Sequence, residues 1–324
     1  MDSLTQLILG AAVGERVLGG KAGRRAALWG GVAGTLPDLD IVAAPFVSQA
    51  GYLGIHRGLS HSLAFAVLAA PLFGALAARL SPDATWRDWS LLAFWAFFTH
   101  IVLDCFTTYG TQVLLPFSDY RVAFSTIFIV DPLYTVPLLA GLLATLLLKR
   151  RWANGLGLSL STFYLLATLA NKYHVEAVFS EALYAQDLRY QQLYTYPTAL
   201  NNLLWVGLAR DDAGLWVGLY SLLDEGGQIT FRRVPSHSER VAQWRDDPIL
   251  QRLLWFSHGY YTISESDGAL VFNDLHLPRM DNWLNDEGQY VFSYRLLEDP
   301  GNPQRLAGIQ QAQRSLDLED GLWR

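Results

Sequence analysis

Cysteine is almost absent from the 324-residue chain. Cys105 stands alone, which excludes an intrachain disulfide framework and a cysteine-rich zinc site. Charge is scarce as well: Asp, Glu, Lys and Arg make up 17% of residues, below the roughly 25% usual in soluble domains. There is no basic stripe, and the net charge is −6, so no nucleic-acid partner is expected. A Gly-Lys-Ser/Thr phosphate loop, a His-Glu-x-x-His helix and a Gly-x-Ser-x-Gly elbow are all missing. A basic leader region is missing too, and Asp2 sits at the start, which argues against a cleavable signal peptide.

What is abundant is apolar. Hydrophobic residues make up 51%, with 11 Trp, 15 Tyr and 16 Phe, a composition that excludes a disordered chain. The two halves differ. Residues 1–171 carry 11 Lys/Arg against 9 Asp/Glu, and residues 172–324 carry 13 against 21. This split predicts a polytopic α-helical membrane domain over 1–171. A soluble α+β domain, mostly antiparallel sheet, is predicted over 172–324.

The membrane half has about five or six apolar segments, each near the ~20 residues that span a bilayer. The clearest are 63–80, 89–106, 127–148 and 153–170. The stretch 26–47 is Gly-rich and broken by Asp38 and Asp40, and 4–18 is short and contains Glu15. The basic residues cluster at Lys21/Arg24/Arg25, Arg79/Arg87 and Lys149/Arg150/Arg151, whereas the alternate loops carry only Arg57 and Arg121. By the positive-inside rule the clusters are cytoplasmic. The loops 48–62 and 107–126 and the whole tail are then periplasmic.

In the tail, 175–193 reads as helix. Strand-like runs follow at 203–208, 215–222, 229–234, 253–263, 269–272 and 290–296. Asp211-Asp212-Ala213-Gly214 and Ser266-Asp267-Gly268 read as hairpin turns. The recurrent tail aromatics read as cross-strand packing. His174, His237, His258 and His276 share no spacing and read as surface or sheet residues.

Polar groups in or beside apolar spans are costly and call for partners. Asp38 and Asp40 follow Pro37, and an extended Asp-x-Asp sends both carboxylates to one side. They either face a cation or form a polar helix end. His56-Arg57-Gly58-Leu59-Ser60-His61-Ser62 concentrates two imidazoles and a guanidinium suited to an anion. Its serines are also candidate helix caps. His100 and Asp104 lie four residues apart on one helix face. They read as a hydrogen-bonded pair, or as a metal ligand with a carboxylate that ligates or supports it. Asp131-Pro132 reads as an N-terminal helix cap.

Under the derived orientation these three pairs converge on one membrane face. Asp38, Asp40, His56, His61, His100 and Asp104 offer mixed N/O donors for one or two divalent transition metals. Zinc is the first choice, with manganese or iron as alternatives. Water on such a metal ionises near neutral pH. Arg57 is then the anion clamp, and Asp40 or Asp104 the base if it is not a ligand.

These residues resemble a known family. Met1-Asp2-Ser3-Leu4-Thr5-Gln6, Gly34-Thr35-Leu36-Pro37-Asp38-Leu39-Asp40, the His56–Ser62 segment, and His100 with Leu103-Asp104 are similar to the YdjM-type family. These are predicted membrane-bound metal-dependent hydrolases, some described as LexA-regulated inner-membrane proteins. Tyr109-Gly110-Thr111-Gln112 and the segment around Asp131-Pro132-Leu133-Tyr134 extend the likeness over most of 1–140. The resemblance implies a bacterial inner-membrane location and the same six metal ligands. A more distant likeness to zinc phospholipases C and single-strand nucleases, which also use His-x-x-x-Asp helices, implies a phosphoester substrate. A site at membrane depth favours a phospholipid or another lipid-linked ester. Two other classes compete: a non-catalytic membrane regulator or scaffold with a partner-binding tail, and a transporter with an Asp/His ion path.

Overall fold

The computed structural model describes residues 1–224, 228–279 and 290–312. Helices dominate the first half: α1 (Ser3–Ala22), α2 (Arg24–Thr35), α3 (Gln49–Ile55), α4 (Leu63–Leu80), α5 (Trp86–Cys105), α6 (Pro132–Leu148) and α7 (Arg151–Ala185). Several starts have a local cause. Asp2 caps α1 by accepting from the Thr5 amide at 2.9 Å, and Thr85 and Asp88 form a reciprocal capping box on α5. Asp131 caps α6 through the Leu133 and Tyr134 amides at 3.0 and 3.3 Å, the role its Asp-Pro sequence predicts.

Two helices, Leu63–Leu80 and Arg151–Ala185, are long and apolar enough to cross a membrane by length and composition, and Pro132–Leu148 is a shorter apolar helix. The expectation of five or six spans is therefore not met in full. The segment 26–47 is not one helix, because α2 stops at Thr35 and a 3-10 segment, Pro37–Phe46, follows. Its glycines serve packing instead. Gly10 and Gly14 of α1 meet Gly30 and Gly34 of α2 backbone to backbone, a small-residue crossing of the kind that lets helices approach closely. Apolar side chains on α4, α6 and α7 remain exposed, among them Leu68, Leu72, Val136, Leu147 and Phe163, as a lipid-facing surface requires.

Helix α7 has 35 residues, about 50 Å at 1.5 Å per residue. That exceeds the ~30 Å hydrocarbon thickness. It runs unbroken through the expected domain boundary at 171/172. Its far end buries Val175 and Phe179 against Trp205 and Tyr220 of the first sheet. That sheet is antiparallel in the order β1 (Gln192–Pro197), β2 (Leu204–Asp211), β3 (Gly214–Ser221), β4 (Arg232–Pro235). The second, also antiparallel, is β5 (Tyr261–Ser266), β6 (Ala269–Asp274), β7 (Ser293–Asp299), β8 (Asn302–Gln311). The two expected turns join β2 to β3 and β5 to β6. The run 253–263 is not one strand: its first part ends helix α8 (Pro248–Phe256), which is capped by Asp247, and β5 begins at Tyr261.

The second sheet does not stand apart from the helical half. Ala50 and Leu53 of α3 and Tyr109 of the loop after α5 share one core with α8 and strands β5 to β8. Arg121 fastens this junction. Only 1% exposed, it donates to the carbonyls of Leu53, Tyr109 and Gly110 at 2.9–3.1 Å. Its guanidinium also lies against the rings of Tyr109, Trp255 and Phe256. The sheet domain thus roofs the loops that carry the conspicuous histidines.

Candidate metal centre

Three elements bring the polar residues together. Asp38 and Asp40 sit on the 3-10 segment after α2. His61 ends a single 3-10 turn, Leu59–His61, before α4. His100 and Asp104 lie one turn apart on α5. His61, His100 and Asp104 have no exposed surface, and Asp38 keeps 19% of its side chain accessible. One ligand atom from each of Asp38, His61, His100 and Asp104 can be chosen so that all lie within 4.8 Å of one another.

The spacings are those of a ligand shell. His61 Nε2 is 3.2 Å from His100 Nε2 and 3.3 Å from both Asp38 Oδ1 and Asp104 Oδ2. His100 Nε2 is 3.6 and 3.7 Å from the same two oxygens. Four donors at ~2.0–2.1 Å from a tetrahedral zinc stand about 3.3–3.4 Å apart.

The outer nitrogens fix the tautomers. His100 Nδ1 donates to the Gly34 carbonyl at 2.6 Å. A carbonyl only accepts, so the proton is on Nδ1. Ser60 Oγ donates to Asp40 Oδ2 at 3.2 Å and accepts from His61 Nδ1 at 3.0 Å. Both Nε2 atoms then point lone pairs at each other across 3.2 Å, an arrangement that needs a proton or a metal ion between them. Asp38 Oδ2 and Asp104 Oδ2 are buried without a hydrogen-bond partner. The donor set therefore fits a divalent transition metal. The pKa of His61 follows the same field: burial lowers it, but the Asp104 and Asp38 carboxylates outweigh burial and leave it raised.

Asp40 and His56 pair beside this group, with His56 Nδ1 2.8 Å from Asp40 Oδ1. Asp40 Oδ2 also accepts from the Arg57 amide at 2.9 Å. The Asp-x-Asp segment is helical rather than extended, so its two carboxylates reach different partners. Arg57 adopts a left-handed backbone (φ 54°), which turns its side chain inward. Its Nε lies 3.2 Å from Asp104 Oδ2 and its Nη1 2.7 Å from Thr107 Oγ1, so it balances the Asp104 charge. Burial pushes the Tyr109 hydroxyl up to about 12, keeping this neighbour of His56 neutral.

Gln6 was not expected here. Its Nε2 donates to Asp104 Oδ1 at 2.9 Å, and the Met1 amino group contacts the same oxygen. A buried glutamine in an apolar helix was the available signal. Of the tail histidines, His174, His237 and His258 are exposed, while His276 is buried and bonded to Asp274.

A helical domain with exposed apolar faces, a buried two-histidine, two-aspartate cluster and a β-sheet roof defines a membrane protein with a possible metal-binding site. Residues 1–175 match the family described as YdjM inner membrane protein, and the chain belongs to that family. It is also similar to the uncharacterized protein YfhP of Bacillus subtilis (strain 168), with 30% identity over 149 residues. That match covers 44% of this chain and 45% of the relative, so it spans less than half of the relative's length. No solved structure matches.

Proposed function

We propose that the protein is a membrane-bound, metal-dependent hydrolase of a phosphoester or another lipid-linked ester. The observation that carries this reading is the 3.2 Å contact between two Nε2 atoms whose Nδ1 atoms are both engaged as donors. Asp38, His61, His100 and Asp104 would hold the ion, with zinc the best match to the donor set and manganese or iron as alternatives. When bound, such a metal supplies Lewis acidity and activates water.

The chain's own groups supply the rest. Arg57 presents a cation to an anionic ester while neutralising Asp104. Asp40 fixes the His56 tautomer through Nδ1, leaving Nε2 to take up or give a proton in the cavity that His56 lines. The Gly34 carbonyl and the Ser60–Asp40 pair keep the two inner imidazoles oriented.

The proposed location is the bacterial inner membrane, with several passes and the sheet domain in the periplasm. The basic clusters on the opposite loops support that orientation. Metal analysis of the purified protein in detergent, with hydrolysis of water-soluble and lipid phosphoesters, tests the reading. We expect stoichiometric transition metal that is lost in His100→Ala. Substoichiometric metal in wild type, unchanged in that variant, would sink it.

A further inference from the structure

Beside the metal cluster lies a cavity of about 450 Å3. At one end stand His56 and Arg57, the two residues that link it to Asp40 and Asp104. Its walls come from both halves of the protein. Phe128 and Ile129, just before α6, line it together with Leu277, Pro278 and Phe292 of the second half. The lining is mostly apolar carbon and aromatic ring. Among the described residues, the charged side chains in it are the acid Asp2 and two arginines, Arg57 and Arg279, the latter 3% exposed.

From this pairing we propose that the cavity holds a phosphate-headed amphiphile with a long aliphatic tail, its phosphate toward Arg57. The proposal rests on the hydrolase reading and narrows its substrate. A phosphate matches a guanidinium fork at the mouth of the metal site, and the apolar walls match a hydrocarbon tail. The cavity has room for at least one aliphatic chain. A monoacyl glycerol phosphate and a polyprenyl phosphate share this chemistry.

Photo-crosslinking of the full-length protein in lipid nanodiscs tests it. The probe is dodecyl phosphate with a terminal diazirine, and labelled peptides are mapped by mass spectrometry. Labelling is expected at Phe128–Ile129 and around Leu277 and Phe292. Either Ala199→Trp or Ile129→Trp, which put an indole into the cavity from different walls, should reduce it about tenfold, the scale of overpacking. Excess monoacyl glycerol phosphate or polyprenyl phosphate should compete, and whichever does so names the source. Dodecanol should not compete.

Labelling confined to the exposed faces of α4, α6 and α7 would overturn the proposal. So would labelling unchanged in both tryptophan variants, or competition by neither phosphate. Metal content and turnover of p-nitrophenyl phosphate, measured in parallel, separate the two claims. Cavity labelling without metal or turnover removes the hydrolase reading and leaves the binding site. Turnover without cavity labelling does the reverse.

Discussion

Gly34→Ala should damage the metal centre from a position that contains no ligand atom. A Cβ on Gly34 would stand 2.7 Å from the Gln6 carbonyl oxygen and 2.8 Å from the Gly10 Cα, where ordinary contact begins near 3.4 Å. Relief requires α2 to move from α1 by about 0.6–0.7 Å, since a packed backbone yields little by other means. Both sides of that contact hold the cluster. The Gly34 carbonyl fixes His100 at 2.6 Å, and Gln6 holds Asp104 at 2.9 Å. A shift of this size takes the His100 bond past the usual N–H···O distance of about 2.9–3.0 Å. Overpacking costs about 1–3 kcal/mol, partly offset by the ~0.5–1 kcal/mol that alanine gains over glycine in a helix. Loss of an outer partner of a ligating histidine weakens metal binding roughly 10–100-fold.

Gly31→Ala is the internal control. It lies on the same helix, but its Cβ would meet nothing nearer than the Leu7 carbonyl at 3.5 Å. It should bind metal normally and be as stable as wild type or slightly more so. Competition with a fluorescent zinc chelator and thermal unfolding, both in nanodiscs, read the two effects. Wild-type affinity and Tm in Gly34→Ala, or equal damage in Gly31→Ala, would refute the reasoning.

Other expectations follow from the same geometry. Asp40→Asn removes the carboxylate behind His61 and His56 and should weaken metal binding about 10–100-fold without the complete loss expected of His100→Ala; equilibrium dialysis compares them. Metal affinity should fall as pH drops, because protons compete for the imidazoles, and the raised His61 places the onset above the ordinary value of about 6.5. In the metal-free protein the sign reverses: raised His61 contributes stability that is present below that ordinary value and lost as pH rises through the folded one. Chelator titrations and urea melts across pH 5–8 check both signs. Arg121→Ala leaves three buried carbonyls unpaired and should cost about 3 kcal/mol or more, seen as protease sensitivity of the sheet domain. Alkaline-phosphatase fusions after Lys172 should be active and fluorescent-protein fusions dark; the opposite pattern would turn the tail and the cluster to the cytoplasm.

The sequence showed ligands more clearly than geometry. His100 and Asp104 were legible as one face because a helix has a fixed period, and they do share one. Asp38 and His61 come from short 3-10 segments that pack on each other and on α2, α3 and α4, which no local pattern encodes. The glycines of 26–47 lowered its apparent helicity as a span, yet their function is contact with α1, visible only once the partner is known. Helix α8 was hidden in an apolar run, although Asp247-Pro248 was an available start signal. The expected domain boundary at 171/172 falls inside α7, where Lys172 donates to the Thr195 carbonyl at 2.7 Å.

The fold also explains why a chain with so small a membrane domain carries a sheet domain. Asp38, His61, His100 and Asp104 are drawn together by helical segments, and His56 and Arg57 stand at the side of this cluster. Tyr109 packs on both, edge-on against His56 at 5.0 Å and under Arg57 at 5.1 Å. Tyr109 in turn packs on Phe256 of α8 and is held by Arg121. The surroundings of His56 and Arg57 therefore depend on the second half of the chain through Tyr109. Because that half rests on the loops bearing His56 and Tyr109, cluster and roof lie on the same side of the helices, whichever side of the membrane it is.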